Sequence, residues 1–139
     1  MMDGLAFPLF LQDRDEWITM IEKEEELNGK LEWLDVEDHE YTGWDLHGHP
    51  VELYLQDKLI KARILSNHSE AGALKEALLH YASLVCQKIP SSQWAHVENV
   101  VDLFRAIETR AAERGLRRKV QQWLQRFIQQ APPPPSMRQ

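Results

Sequence analysis

Three histidines lie within an eleven-residue stretch that is also rich in carboxylates; the residues are His39, His47 and His49, beside Asp38, Glu40 and Asp45. Imidazole and carboxylate groups are ligands that zinc and other divalent metal ions accept. Two histidines separated by one residue point the same way on a regular strand, but the intervening Gly48 predicts a turn. No known ligand spacing such as HExxH is present. The sequence therefore favours polar turn residues over a metal site, and we expect no metal and no cofactor.

Carboxylates on predicted strands raise a second possibility, a metal-dependent hydrolase, which needs two or three acids and a lysine at one point. The residues available are Asp45, Glu52, Asp57 and Lys58. Glu52 should lie on the face opposite Leu53, however, and Asp57-Lys58 predicts a turn. These side chains are therefore not expected to converge. A hydrolase that uses the three histidines stays open as an alternative function.

Basic residues accumulate in the last third of the chain, namely Arg105, Arg110, Arg114, Arg117, Arg118, Lys119 and Arg126. A basic helix can bind phosphates, so a nucleic-acid-associated factor is a further alternative. Glu108 and Glu113 interrupt the run, and the whole chain has a formal net charge of −6. The sequence favours a solvated helix face that pairs with acidic residues elsewhere, and direct binding of nucleic acid is not expected.

The charge is divided unevenly between the two ends of the chain. Residues 1–60 contain 16 Asp or Glu and 4 Lys or Arg, whereas residues 101–139 contain 3 and 8. Such asymmetry is informative about partners. Either the two halves pack together and neutralise each other, or an acidic face meets a basic partner.

Five tryptophans are many for 139 residues, and this side chain is favoured in cores and at interfaces. Trp17, Trp94 and Trp123 fall on apolar helical stripes, which predicts burial. Trp33 and Trp44 fall on two predicted neighbouring strands beside the acidic segment. They are the candidate anchors of an exposed binding surface.

The elements that would carry these residues follow from periodicity. Asp13 and Glu16 suggest a capping box, which predicts a helix from there to the stop at Asn28-Gly29. Alternating patterns then predict four strands, near residues 30–36, 41–46, 51–56 and 60–65. Because the connections are short, the strands must be antiparallel. We therefore predict an α+β fold, a four-stranded antiparallel meander preceded by one helix and followed by three helices packed on one sheet face.

The three later helices are indicated by apolar stripes that run from Leu74 to Ile89, from Trp94 to Ile107 and from Leu116 to Ile128. The last stripe is shifted by one residue, which predicts a break near Gly115. Four prolines at 132–135 predict a flexible tail, so we expect one domain over 1–131 and a tail over 132–139. No apolar run is long enough to span a bilayer, and no targeting segment is evident, so we expect a cytoplasmic protein that contacts no membrane.

Together these observations predict a small acidic non-enzymatic protein-binding module, of the kind found in inhibitors or antitoxins, whose partner is another protein with a basic surface. The expected contact residues are Trp33, Trp44, Asp35, Glu37, Asp38 and Asp45.

Overall fold

The computed structural model describes residues 4–94 and 96–130, and for 91, 116–118, 120 and 127–130 it describes the backbone alone. The predicted tail over 132–139 lies outside the described residues. Five strands form one sheet: β1 (Leu9–Gln12), β2 (Ile18–Ile21), β3 (Thr42–Trp44), β4 (Pro50–Gln56) and β5 (Leu59–Ile64). The helices are α1 (Leu27–Lys30), α2 (Trp33–Glu37), α3 (Ala71–Val85) and α4 (Val100–Gln130), with short 3-10 turns at Glu24–Glu26 and Ser91–Gln93.

All neighbouring strands in the sheet are antiparallel, in the order β2-β1-β3-β4-β5. The mixed α+β architecture with one antiparallel sheet is confirmed, but the prediction of a four-stranded meander is wrong. The additional strands come from the N-terminal residues. β3 pairs with residues 10–12 of β1 and not with β2, the strand that precedes it in the chain.

A hairpin replaces the helix predicted to start at Asp13. The Oδ1 atom of Asp13 accepts hydrogen bonds from the backbone N–H groups of Asp15 and Trp17, at 2.9 and 3.1 Å. Glu16 adopts a positive φ of 68°, which a helix does not allow. The aspartate therefore closes a turn between β1 and β2, because its side chain offers the backbone an alternative to helical hydrogen bonds.

The first predicted strand, near residues 30–36, is also wrong, because this segment forms α2. Leu31 and Val36 are buried, whereas Trp33 and Leu34 are about half exposed. A strand would have put Trp33 on the same face as Leu31. One helical turn instead lets Val36 pack on the sheet while the two large side chains point outwards.

Helices cover both faces of the sheet, so the prediction that they pack on one face is wrong. α3 and α4 pack on one face around a cluster that includes Phe10, Ile18, Met20, Leu78 and Ile107. The opposite face packs with α1 and α2 around a second cluster that includes Leu9, Leu11, Leu27, Val36 and Val51. Successive side chains of a strand point to opposite faces, which is why Leu9, Phe10 and Leu11 can all be buried.

α4 is one continuous helix of 31 residues, so the break predicted near Gly115 is absent from the described backbone. The helix is about 46 Å long. Its residues between Val100 and Ala111 pack against the domain, whereas Lys119 and the residues from Gln121 to Arg126 are exposed. The shift of the apolar stripe therefore coincides with the place where the helix leaves the domain. None of the described helices combines the length and the hydropathy needed to cross a membrane.

Candidate interaction surface

An open cleft of about 440 Å³ lies beside the paired strands β3 and β4. Pairing between these strands joins Gly43 to Val51 and Trp44 to Pro50, while β4 pairs with β5 as far as Gln56. The cleft is lined by side chains from both sides of the sheet, among them Val36, His39, Tyr41, Trp44, Glu52 and Glu70.

Trp44 forms one wall of this cleft and is half buried. Its ring packs against the cluster under α3 and α4, and its Nε1 donates a hydrogen bond to Oε1 of Glu70 at 3.3 Å. The ring therefore has a structural role in addition to any contact it makes through the cleft. Trp33 was predicted on a strand next to that of Trp44, but it lies on α2. Val36 of the same helix lines the opposite wall of the cleft.

The exposed face of α2 joins apolar and acidic side chains. Trp33 is 50% exposed and the adjacent Leu34 is 53% exposed. The carboxylates follow directly, at Asp35, Glu37 and Asp38. We call these five residues the α2 surface. Its backbone is held by the buried Val36 and by Arg14, whose Nη2 donates to the Asp38 carbonyl oxygen at 3.2 Å.

Negative charge is crowded at the C-terminal end of this surface. A hydrogen bond between the side chains of Asp35 and Glu40, together with partial burial, raises the pKa of Glu40 above its usual value. The guanidinium group of Arg14, whose Nη1 lies 3.5 Å from Oε1 of Glu40, acts in the opposite direction and lowers this pKa. Burial, and secondarily the charge of Asp35, also raise the pKa of Tyr41. Because like charges lie this close, a basic group from another molecule would be attracted to the site.

Asp45 does not belong to this surface, because the structure buries it completely. Its Oδ1 accepts hydrogen bonds from the backbone N–H groups of His47 and His49, both at 2.9 Å, and its Oδ2 accepts one from Ala6 at 3.3 Å. The Nδ1 atom of His49 lies 3.3 Å from the same Oδ2. The sequence contains one signal that could have indicated this role. Asp45 precedes Gly48 by three residues, and this spacing is typical of a turn in which the first side chain accepts hydrogen bonds from backbone N–H groups.

The three histidines do not come together. The rings of His47 and His49 are 6.3 Å apart, while His39 lines the cleft beside α2. Within the part of the chain that the structure describes, no group of three His, Cys, Asp or Glu side chains is placed to hold a metal ion.

The acids considered for a hydrolase are also dispersed. Glu52 pairs with Arg63 at 3.1 Å. Asp57 and Lys58 both have positive φ and form the tight turn between β4 and β5. Neither alternative enzymatic arrangement therefore gains support from the geometry of the described residues.

The basic residues of the C-terminal third are distributed along α4. Arg105 pairs with Glu22 at 3.3 Å and Arg110 with Glu113 at 3.7 Å. Arg105 thus provides an ion pair of the kind expected between the basic and acidic ends of the chain. Lys119 and Arg126 lie farther along, on the exposed part of the helix.

Replacement of Trp44 by alanine should destabilise the domain, because it removes a half-buried ring and leaves Glu70 without that hydrogen bond. We expect a loss of about 2 kcal/mol in the free energy of unfolding, less than for a fully buried ring. Trp33→Ala should cost below about 1 kcal/mol, since half of that ring already faces solvent. Urea unfolding measures both changes, and an equal loss in the two variants would contradict the different roles given to the two rings.

No protein-family model, no curated protein and no solved structure matches this chain significantly.

Proposed function

We propose that this chain is a non-enzymatic protein-binding module and that the α2 surface is its contact with a partner that presents basic side chains. The observation that carries the proposal is the exposure of the adjacent Trp33 and Leu34, next to the carboxylates of Asp35 and Glu37 on α2 and of Asp38 at its C-terminal cap. Neighbouring exposed apolar side chains that are rimmed by polar residues are typical of interaction sites on protein surfaces.

The two kinds of side chain would contribute differently to binding. Aromatic anchors supply most of the energy of an interface, and Trp33 is the larger of the two exposed apolar groups. Charges around them mainly steer the encounter and exclude partners of the wrong sign. Asp35, Glu37 and Asp38 would therefore set the association rate, and Trp33 the lifetime of the complex.

An acidic module of this kind is suited to cover a basic site on another protein, as an inhibitor or antitoxin does. The adjoining cleft would extend the contact, because its walls combine the rings of Tyr41 and Trp44 with the carboxylates of Glu52 and Glu70. Aromatic rings and carboxylates together accept cationic side chains.

The proposal is tested by affinity capture from the native host with three tagged baits, followed by mass spectrometry. Partners that depend on the α2 surface should be retained by the wild-type chain and lost by Trp33→Ala/Leu34→Ala. They should also be retained by Leu59→Ala, which removes an exposed apolar side chain outside the α2 surface and the adjoining cleft. Loss of the same partners from both variants would contradict the assignment of the surface.

For a partner found in this way, Glu37→Gln/Asp38→Asn should slow association by about three- to tenfold at low salt and flatten its salt dependence. Glu24→Gln/Glu25→Gln changes the net charge equally at another exposed site and serves as the control. Trp33→Ala should instead raise the dissociation rate by about 30-fold. Stopped-flow or surface-binding kinetics separates these effects; equal association rates for both charge variants would show that the acids of α2 have no special role.

A further inference from the structure

The last four turns of α4 extend beyond the domain. Residues 116–130 are helical, and by the helical rise they reach roughly 22 Å past Gly115. Trp123 is 58% exposed and Leu124 is 44% exposed, and they lie side by side on this extension. We call residues 116–130 the α4 extension.

The α4 extension is strongly basic. Its charged residues are Arg117, Arg118, Lys119 and Arg126, and its sequence contains no Asp or Glu. A helix with four positive charges and two large exposed apolar side chains has the properties of a segment that docks on an acidic, partly apolar surface.

The α4 extension begins at the end of the sheet where acidic residues of the domain are concentrated. Ala111, Arg114 and Gly115 line a cleft with Trp17, which immediately follows the turn between β1 and β2. The same end of the sheet carries the connection from α2 to β3, since Gln12 pairs with Thr42 and Arg14 lies 3.5 Å from Glu40. We call this end of the sheet the hairpin end. It carries Asp13, Asp15, Glu16, Asp38 and Glu40.

The extension is directed away from the acids of its own domain. A straight helix carries Lys119 and Arg126 progressively farther from the hairpin end. α2, moreover, packs on the sheet face opposite to α4. Some carboxylates of this end already have a partner within the same chain, such as Glu40 with Arg14 and Glu16 with His80. Glu37 and Asp38 remain exposed at its rim.

We propose that two copies of this chain associate reciprocally, with the α4 extension of each copy docked on the hairpin end and adjoining α2 surface of the other. Two hairpin ends that face each other would repel, but two basic helices between them complement both. The contact is the same in both directions, so it closes into a twofold dimer and does not continue into a filament.

Direct pairing of one α4 extension with the other is the less favourable arrangement, because it places two helices of the same charge side by side. The reciprocal arrangement instead places each basic helix against carboxylates of the other copy. It also covers exposed apolar groups on both sides, Trp123 and Leu124 on the helix and Trp33 and Leu34 on α2. The proposal rests on the proposed function, since it makes a second copy one partner of the α2 surface.

The test uses two full-length variants, each of which reverses the charge on one side of the proposed contact. All substituted residues are exposed. Lys119→Glu/Arg126→Glu reverses the helix, and Glu37→Lys/Asp38→Lys reverses the receiving surface. By light scattering with size exclusion at about 100 µM, where a micromolar dimer is largely formed, we expect a dimer for the wild type and monomers for each variant alone. An equimolar mixture should form a heterodimer, because both of its contacts again join opposite charges.

Three results would overturn the proposal: a monomeric wild type, a dimer that either variant leaves intact, or a mixture that stays monomeric. Affinity capture on the same variants keeps the two proposals apart. If the wild type is monomeric but Glu37→Lys/Asp38→Lys loses an external partner that Lys119→Glu/Arg126→Glu retains, the α2 surface stands and the self-association fails. If the mixture of the two variants restores a dimer while no external partner depends on α2, the self-association stands, and a second copy of the chain, not another protein, is the partner of the α2 surface.

Discussion

Asp45→Ala should lower the free energy of unfolding by about 3 kcal/mol or more, a large part of the stability of a domain of this size. The buried carboxylate accepts hydrogen bonds from the backbone N–H groups of Ala6, His47 and His49. Alanine would remove the acceptor of all three donors from a position that is itself fully buried. Because hydrogen bonds to a charged group contribute more than neutral ones, the loss should exceed that of an ordinary turn substitution. Urea unfolding followed by circular dichroism measures it.

Asp45→Asn is the informative control. The amide keeps one acceptor oxygen for the N–H groups of His47 and His49 but replaces the other with a donor, so the loss should be about half as large. Glu37→Ala, at an exposed position, should change stability by less than about 0.5 kcal/mol. If Asp45→Ala is as stable as Glu37→Ala, the carboxylate is not the acceptor that organises this turn.

Gly43→Val should destabilise the domain by about 3 kcal/mol or more, because there is no space for a side chain at the junction of three strands. A Cβ atom at this position would lie 2.6 Å from the backbone oxygen of Phe10 and 2.6 Å from Cδ2 of Leu11. Phe10 and Leu11 belong to the strand next to β3, so β1 and β3 would have to separate. Thermal and urea unfolding of the variant measure the effect.

Gly72→Ala is the matched control, since a Cβ atom there would meet nothing within 4 Å. This glycine lies in the first turn of α3, where alanine should stabilise the helix by up to about 1 kcal/mol. Opposite signs for the two substitutions are therefore expected. A Gly43→Val variant as stable as the wild type would mean that β1 and β3 are not packed as closely as the structure places them.

The parts of the fold that sequence predicts well are those in which one periodicity acts alone. β4 alternates Val51, Leu53 and Leu55 on one face, and the apolar stripe of α3 repeats through Leu74, Leu78 and Tyr81. Both elements are half buried, so the buried positions reveal the period. The bounds of β4 agree closely with the predicted segment, whereas α3 begins three residues before the predicted stripe and ends four residues before it does.

The N-terminal third was mispredicted because its signals have two physical interpretations. Asp13 followed by Glu16 fits a capping box, but an aspartate equally closes a hairpin turn through its side chain. The run from Leu9 to Leu11 shows no alternation, because β1 is covered on both faces. A strand of this kind cannot be distinguished from a short buried helix by period alone.

The candidate surface was predicted in part. Trp33, Asp35, Glu37 and Asp38 do share one segment, because they are adjacent in sequence and any local structure keeps them together. Asp45 was misplaced because its carboxylate accepts, besides the local N–H groups of His47 and His49, a hydrogen bond from Ala6, 39 residues away in sequence. No local pattern reports such a contact. The basic α4 extension was recognised as a charge pattern, but its position beyond the domain follows only from the packing of α4.

β1 supplies side chains to both apolar clusters, with Leu9 and Leu11 on one side of the sheet and Phe10 on the other. Displacement of this single strand removes part of each cluster at once, and a register shift of one residue would exchange the two sets of side chains. The two layers of helices are thereby linked through three consecutive residues. The free energy that holds α1 and α2 is thus coupled to the free energy that holds α3, and the two faces should melt as one cooperative unit.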